Sequence, residues 1–146
     1  VTGLKLDAAL ARRDRRGLAL GPVLCADTTV AFGRIILGKP VDEDDAARIL
    51  STLSWQTHRV LTAVAAQLGH RRVVAMSVSK VRFTAMSADQ IQRYIATGEP
   101  MGKAGAYGVQ GKAAAYIEHI SGSYSGIMGL PMYETAQLLR AIGFSV

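Results

Sequence analysis

Two long runs of strand-forming residues, "THRVLTAVAAQ" (57–67) and "RRVVAMSVSKVRFTAM" (71–86), stand almost back to back. They are joined around "LGHRR", and a glycine between two such runs reads as a hairpin. From Val78 onward the second run alternates, with Val81 and Phe83 on one face and Lys80, Arg82 and Thr84 on the other. Period-2 alternation of this kind belongs to a strand with one buried face. Whatever else the chain does, it must build a sheet around this pair.

The flanking segments supply helices. "LKLDAALARR" (4–13) has apolar residues at helical spacing, and Gly17 is a plausible stop. "PVLCADTTVAF" (22–32) reads as a buried strand, with Gly33 beginning a turn. "VDEDDAARILSTL" (41–53) is a helix whose acids, Asp42 to Asp45, crowd the first turn. The positive end of the helix dipole accounts for them without a metal site. Ser87 and Gln90 have capping-box spacing at the head of a short helix that Gly98 closes. "LPMYETAQLLRAIG" (130–143) is the last helix, with Pro131 at its first turn and Gly143 past its end. The order helix, strand, helix, strands, helix, loop, helix predicts an α/β domain whose sheet is mixed and flanked by helices.

Composition narrows the chemistry. The 146 residues suit one domain. No apolar stretch approaches the length of a membrane span. Cys25 is the only cysteine, which excludes an internal disulfide and a thiolate metal cluster and favours a reducing, cytoplasmic location. A formal charge of +6 favours anionic partners, nucleic acid or polyphosphate. His58, His70 and His119 share no ligand spacing, and no serine has the surroundings of a nucleophile elbow.

Three stretches carry chemistry. Asp27, after "VLCA", is expected to emerge at or near the end of a strand, where a carboxylate can bind Mg²⁺ or Mn²⁺ or accept a proton from water. A turn-capping aspartate is the rival reading. Lys39, held between Gly38 and Pro40, is a compact charge suited to phosphate or simply a solvated turn residue. Between Gly98 and Gly129 lie eight of the 15 glycines, yet Lys103, Tyr107, Gln110, Tyr116 and Tyr124 are kept there. "GEPMGKAGAYGVQG" is no Walker A loop, since the spacing is one residue short and Ala104 follows the lysine. A lysine among glycines, then an amide able to read a base edge, is what remains; a structural loop is an even rival.

In combination and in order, "LCADTTV", "ILGKP", "THRVLTAVA", "TGEP", "KAGAYGVQG" and "GSYSGIMGLP" resemble the Maf family of nucleoside triphosphate pyrophosphatases, also called septum-formation inhibitor-like proteins. The match runs from about residue 22 to 142, and the set is specific where each piece alone is weak. The resemblance implies an elongated, two-lobed, inosine triphosphatase-like domain over 1–146 with a central cleft. It also implies divalent-metal-assisted hydrolysis of a nucleoside triphosphate to the monophosphate and pyrophosphate. On the family pattern Asp27 is the proton acceptor close to the metal. Lys39 and Lys103 lie near the triphosphate, and Lys5 matches a further lysine on the preceding helix. Thr28 and Gln110 resemble the branch acting on dTTP and UTP, modified pyrimidine nucleotides included. A homodimer is the family's suggestion for assembly.

Two departures accompany the match. Gly102 stands where the family has an acid before the lysine, which removes one metal or lysine contact, and Trp55 replaces a turn glycine, which reshapes that turn. The family also begins with a strand and a Ser-Pro-Arg loop followed by a glutamate, and none of these precedes Val1 here. A further N-terminal segment is therefore expected. The rival to an enzyme is a non-catalytic nucleotide-binding regulator of cell division. A nucleic-acid-binding module ranks third, because no interleaved basic and aromatic stripe supports it.

Overall fold

A computed structural model describes residues 1–146. Five strands form one sheet in the order β2-β1-β3-β4-β5. They are β1 (Val23–Phe32), β2 (Ile35–Leu37), β3 (Thr57–Leu68), β4 (Arg71–Phe83) and β5 (Ile117–Ser121). The helices are α1 (Thr2–Arg15), α2 (Glu43–Leu53), α3 (Ala88–Ile95), α4 (Tyr124–Met128) and α5 (Met132–Ala141).

The expected α/β layering, a sheet flanked by helices, is what the chain adopts. One detail differs: all four strand pairings are antiparallel, so the sheet is not mixed. Adjacent hairpins account for β1–β2 and β3–β4. The helical crossover through α2 carries the chain past β1 instead of laying β3 beside β2, so it creates no parallel neighbour.

Local signals explain the helix starts. Asp42 caps α2, its carboxylate accepting from Asp45 N–H at 2.7 Å. At α3 the capping box is complete, Ser87 Oγ accepting from Gln90 N–H and Gln90 Oε1 accepting from Ser87 N–H. The region expected as a loop also holds β5, α4 and two 3₁₀ turns (Ala104–Ala106 and Lys112–Tyr116). Trp55 does not relax its turn: its φ is 63°, a left-handed value that glycine adopts freely and other residues adopt under strain.

One face of the sheet organises the molecule. Along it the cross-strand rows run Leu24–Ala66–Val73, Ala26–Val64–Ala75, Thr28–Thr62–Ser77 and Val30–Val60–Ser79. The first two rows join Leu138 and Ile142 of the C-terminal helix region in a small apolar cluster. Val30 and Val60 join α2, α3, Val81 and Phe83 in the larger core. The hydroxyl row Thr28–Thr62–Ser77 separates the two clusters, and a central cleft opens at Thr28. Gly126 of α4 lies directly over that row; a Cβ there would stand 2.6 Å from Ser77 Oγ, so no side chain fits. The opposite face carries Asp27 and is packed by α1, whose Lys5 pairs with Asp27 and whose Asp7 pairs with Arg72.

His58 sits inside the larger core, 1% exposed, with Nε2 2.6 Å from the Tyr107 hydroxyl and Nδ1 without a partner. Burial holds its pKa down at about 4, against an ordinary 6.5. The unfolded chain therefore binds a proton here that the folded chain refuses between those values. Stability is full above pH 6.5 and falls as the pH drops toward 4, by about 3 kcal/mol from this group. Urea midpoints measured at pH 7.0 and 4.5 should show that loss, and replacing His58 by glutamine should flatten this part of the profile. An unchanged slope in the variant would assign the acid sensitivity to other groups.

Candidate active site

The central cleft holds a cavity of about 220 Å³. Its floor is Thr28, Val30 and Val60; the loop from Gly102 to Gln110 makes one wall, and Ile127 and Met128 make the other. Most of this lining is apolar, and the polar groups converging on it are the Thr28 hydroxyl, the Gln110 amide and the Lys103 amine. An apolar slot with a few directed polar groups suits a flat heterocycle with something anionic attached.

The loop wall is held from behind by Glu99. Its carboxylate accepts from the Tyr94 hydroxyl at 2.9 Å and from Lys112 N–H at 3.0 Å, while its backbone carbonyl accepts from Lys103 Nζ at 2.8 Å. Burial pushes the Glu99 carboxyl up, but the hydrogen bonds from Lys112, Tyr94 and Ala113 and the Lys103 charge outweigh it and hold the group below its ordinary value. The turn also closes tightly onto β1: Gly105 has φ +74°, and a Cβ there would meet Val30 methyls at 3.0 Å. Its N–H donates to Gly38 C=O at 3.1 Å, which ties the Gly38–Lys39 turn to the Lys103 loop.

Asp27 and Thr28 are consecutive residues of β1 and therefore point to opposite faces. Thr28 faces the cavity; Asp27 faces α1 and pairs with Lys5, the two side chains 26% and 48% exposed. Asp27 is mid-strand, where a strand end was expected, because the β-branched run Thr28, Thr29, Val30 continues the extended backbone to Phe32. The pairing of β1 with β2 begins only at Val30. At Asp27–Thr29 the outer edge of β1 thus has no neighbouring strand, and a ligand crossing that edge can reach both faces.

Comparison with known proteins bears on this arrangement. The family model described as Maf-like protein matches residues 3–142. The chain belongs to the Maf family. A dTTP/UTP pyrophosphatase of a Polaromonas species is 64% identical over 146 residues, covering all of this chain and 72% of that relative. One of Albidiferax ferrireducens is 65% identical over the same length, covering 73% of it. A third, of Cupriavidus metallidurans, is 58% identical over 143 residues, covering 98% of this chain and 72% of its own.

Within this Maf-like chain the site residues expected from the sequence fall into three groups. Thr28, Lys103 and Gln110 line one cavity. Lys5 and Asp27 pair with each other on the other face. Lys39 is exposed on the turn beside the Lys103 loop and does not line the cavity. Gly102 lines the cavity with φ +77° and open space where a side chain would begin.

The fit of a divalent cation can be judged from the donors. No three His, Cys, Asp or Glu side chains converge anywhere in the chain. A cation at Asp27 would take its other ligands from phosphate oxygens and water, an arrangement that suits Mg²⁺. No helix is long and apolar enough to cross a membrane.

Sequence reasoning passed over three residues of the site. Glu99 and Tyr94 set the position of the glycine loop, and the "TGEP" turn was their only trace. Thr62, fully buried, carries the Thr28 hydroxyl at 3.0 Å. No local signal marks it, because it meets Thr28 only through the register of β1 against β3.

Proposed function

We propose that this chain is a nucleoside triphosphate pyrophosphatase that hydrolyses dTTP and UTP to the monophosphate and pyrophosphate with the help of a divalent cation. The observation that carries the reading is the single apolar cavity on which Thr28, Gln110 and Lys103 converge. It offers hydrogen bonds to a pyrimidine at one place and positive charge to phosphate at another. The high identity to relatives named for this activity supports the substrate class.

In this reading the base lies in the cavity, with Thr28 and Gln110 reading its edge. The triphosphate leaves the cavity past Lys103 toward Lys39 and across the open edge of β1 to Asp27 and Lys5. Asp27 accepts the proton of the water that attacks the α-phosphorus, and the bond broken is the one to the bridging oxygen of the pyrophosphate. Lys103 and Lys39 offset the negative charge that grows on that leaving group. Lys5 keeps the Asp27 carboxylate oriented. A divalent cation bound at Asp27 and the phosphates would supply further charge neutralisation. The lone Cys25 supports a cytoplasmic setting.

The test is pyrophosphate release from dTTP, UTP, CTP, dATP and GTP, with Mg²⁺ or Mn²⁺ and with EDTA. Release from dTTP and UTP that stops in EDTA is the expected result. Saturable binding of UTP without release would replace the enzyme by the nucleotide-binding regulator. Equal cleavage of all five would remove the base-reading role from the cavity.

A further inference from the structure

Thr62 does not line the cavity, yet it decides what the cavity presents. Its side chain is fully buried, and its hydroxyl stands 2.6 Å from Gly126 C=O and 3.0 Å from the Thr28 hydroxyl. A hydroxyl has one proton and two lone pairs. Two oxygens at 2.6 Å repel unless a proton lies between them, and a carbonyl brings none. The Thr62 proton is therefore committed to Gly126 C=O. The contact between the two threonines then needs its proton from Thr28. What Thr28 has left to offer the cavity is lone pairs alone.

We propose that Thr62 is a positioning residue for base specificity: by holding the Thr28 proton, it makes Thr28 Oγ1 an acceptor-only group that selects a pyrimidine bearing N3–H. This rests on the reading of the cavity as the base site. Uracil and thymine carry a donor at N3, whereas cytosine carries a bare lone pair there. An acceptor facing N3–H makes a hydrogen bond; the same acceptor facing cytosine N3 sets two lone pairs against each other. Discrimination that depends on pairing a substrate N–H is steep, because the wrong base leaves a desolvated group unpaired. The device also fixes its own geometry. Gly126 C=O shares its peptide plane with Ile127 N–H, which donates to Ser123 C=O at 3.0 Å, and it also accepts from Gly129 N–H at 3.1 Å, so the carbonyl that draws the Thr62 proton is held in place.

The experiment measures binding of UTP and CTP by calorimetry in EDTA, with pyrophosphate release in metal followed in parallel. Thr62→Val keeps the shape and removes the acceptor, which frees the Thr28 proton to turn toward the cavity. The UTP-over-CTP preference should fall about 10-fold or more, UTP weakening and CTP tightening. Thr62→Ser should restore it. In a Thr28→Val background, where the preference is already lost, Thr62→Val should change it no further, because Thr62 acts only through Thr28.

An unchanged preference in Thr62→Val overturns the proposal. So does a Thr62→Ser variant as impaired as the valine, or additive effects in the double variant. Should Thr62→Val not fold, a Thr28→Val chain that keeps the normal preference overturns it equally. A chain that binds UTP selectively but releases no pyrophosphate leaves this relay standing and defeats the enzymatic reading. Release of pyrophosphate with equal binding of UTP and CTP does the reverse.

Discussion

Replacing Asp27 by asparagine is expected to slow pyrophosphate release by ~10²–10⁴-fold, the range that a positioned proton acceptor contributes, while the fold stays intact. Asparagine keeps the shape and an oxygen that can still accept from Lys5. What it loses is the negative charge, and with it proton acceptance and cation binding. The ion pair with Lys5 is partly exposed, so its loss costs at most about 1 kcal/mol of stability. A melting temperature within a few degrees of the parent would accompany the loss of turnover. Near-normal turnover would remove Asp27 from the mechanism, and collapse of the fold would make its role structural. Comparing UTP binding in Mg²⁺ with UTP binding in EDTA separates the two losses further, since cation binding at Asp27 counts only when metal is present and proton acceptance contributes to neither.

The elements that were legible in the sequence are those specified by neighbours in the chain. The β3–β4 hairpin follows from two β-type runs around Gly69. The start of α2 follows from Asp42, and that of α3 from Ser87 with Gln90 three residues on. Where the outcome depends on distant partners, local reading stops. The helix α4 is five residues long and contains Gly126, so propensity argues against it; it forms because the Ser123 side chain caps it and the hydroxyl row of the sheet leaves room only for glycine. The site shows the same division. Lys103 and Gln110 stand out in a glycine-rich stretch, but Glu99 behind that stretch and Thr62 beneath Thr28 act across gaps that periodicity does not encode. The position of Asp27 within its strand was hidden for a related reason. A carboxylate after an apolar run looks like an end, but the β-branched run after it, paired with β3 as far as Ala31 and with β2 from Val30, carries the strand on to Phe32.

Lys103→Met is the second large effect, and it divides binding from chemistry. The ammonium is already tethered, through Glu99 C=O at 2.8 Å, at the wall of the cavity. Its remaining donors and its charge are free for phosphate, and little reorganisation is needed when a ligand arrives. Methionine fills the same stem volume without the charge. Removing one preorganised group that faces developing negative charge costs ~10²–10³ in rate, so kcat/KM for UTP should fall by that order. The split between constants tells which state Lys103 serves. A fall in kcat with KM unchanged means the charge meets the leaving pyrophosphate as the bond breaks; a rise in KM alone means it only holds the ground-state triphosphate. Arginine at the same place should recover only part of the activity, because its planar fork cannot both keep the Glu99 carbonyl and present a compact charge in the same space. If Lys103→Met retains kcat/KM within a factor of two or so, the loop is a structural wall and the phosphate charge is met from Lys39 and Lys5. In that case the glycines around Lys103 serve the close approach to β1, where Gly105 meets Val30, and the chemistry lies wholly at the open edge of the strand.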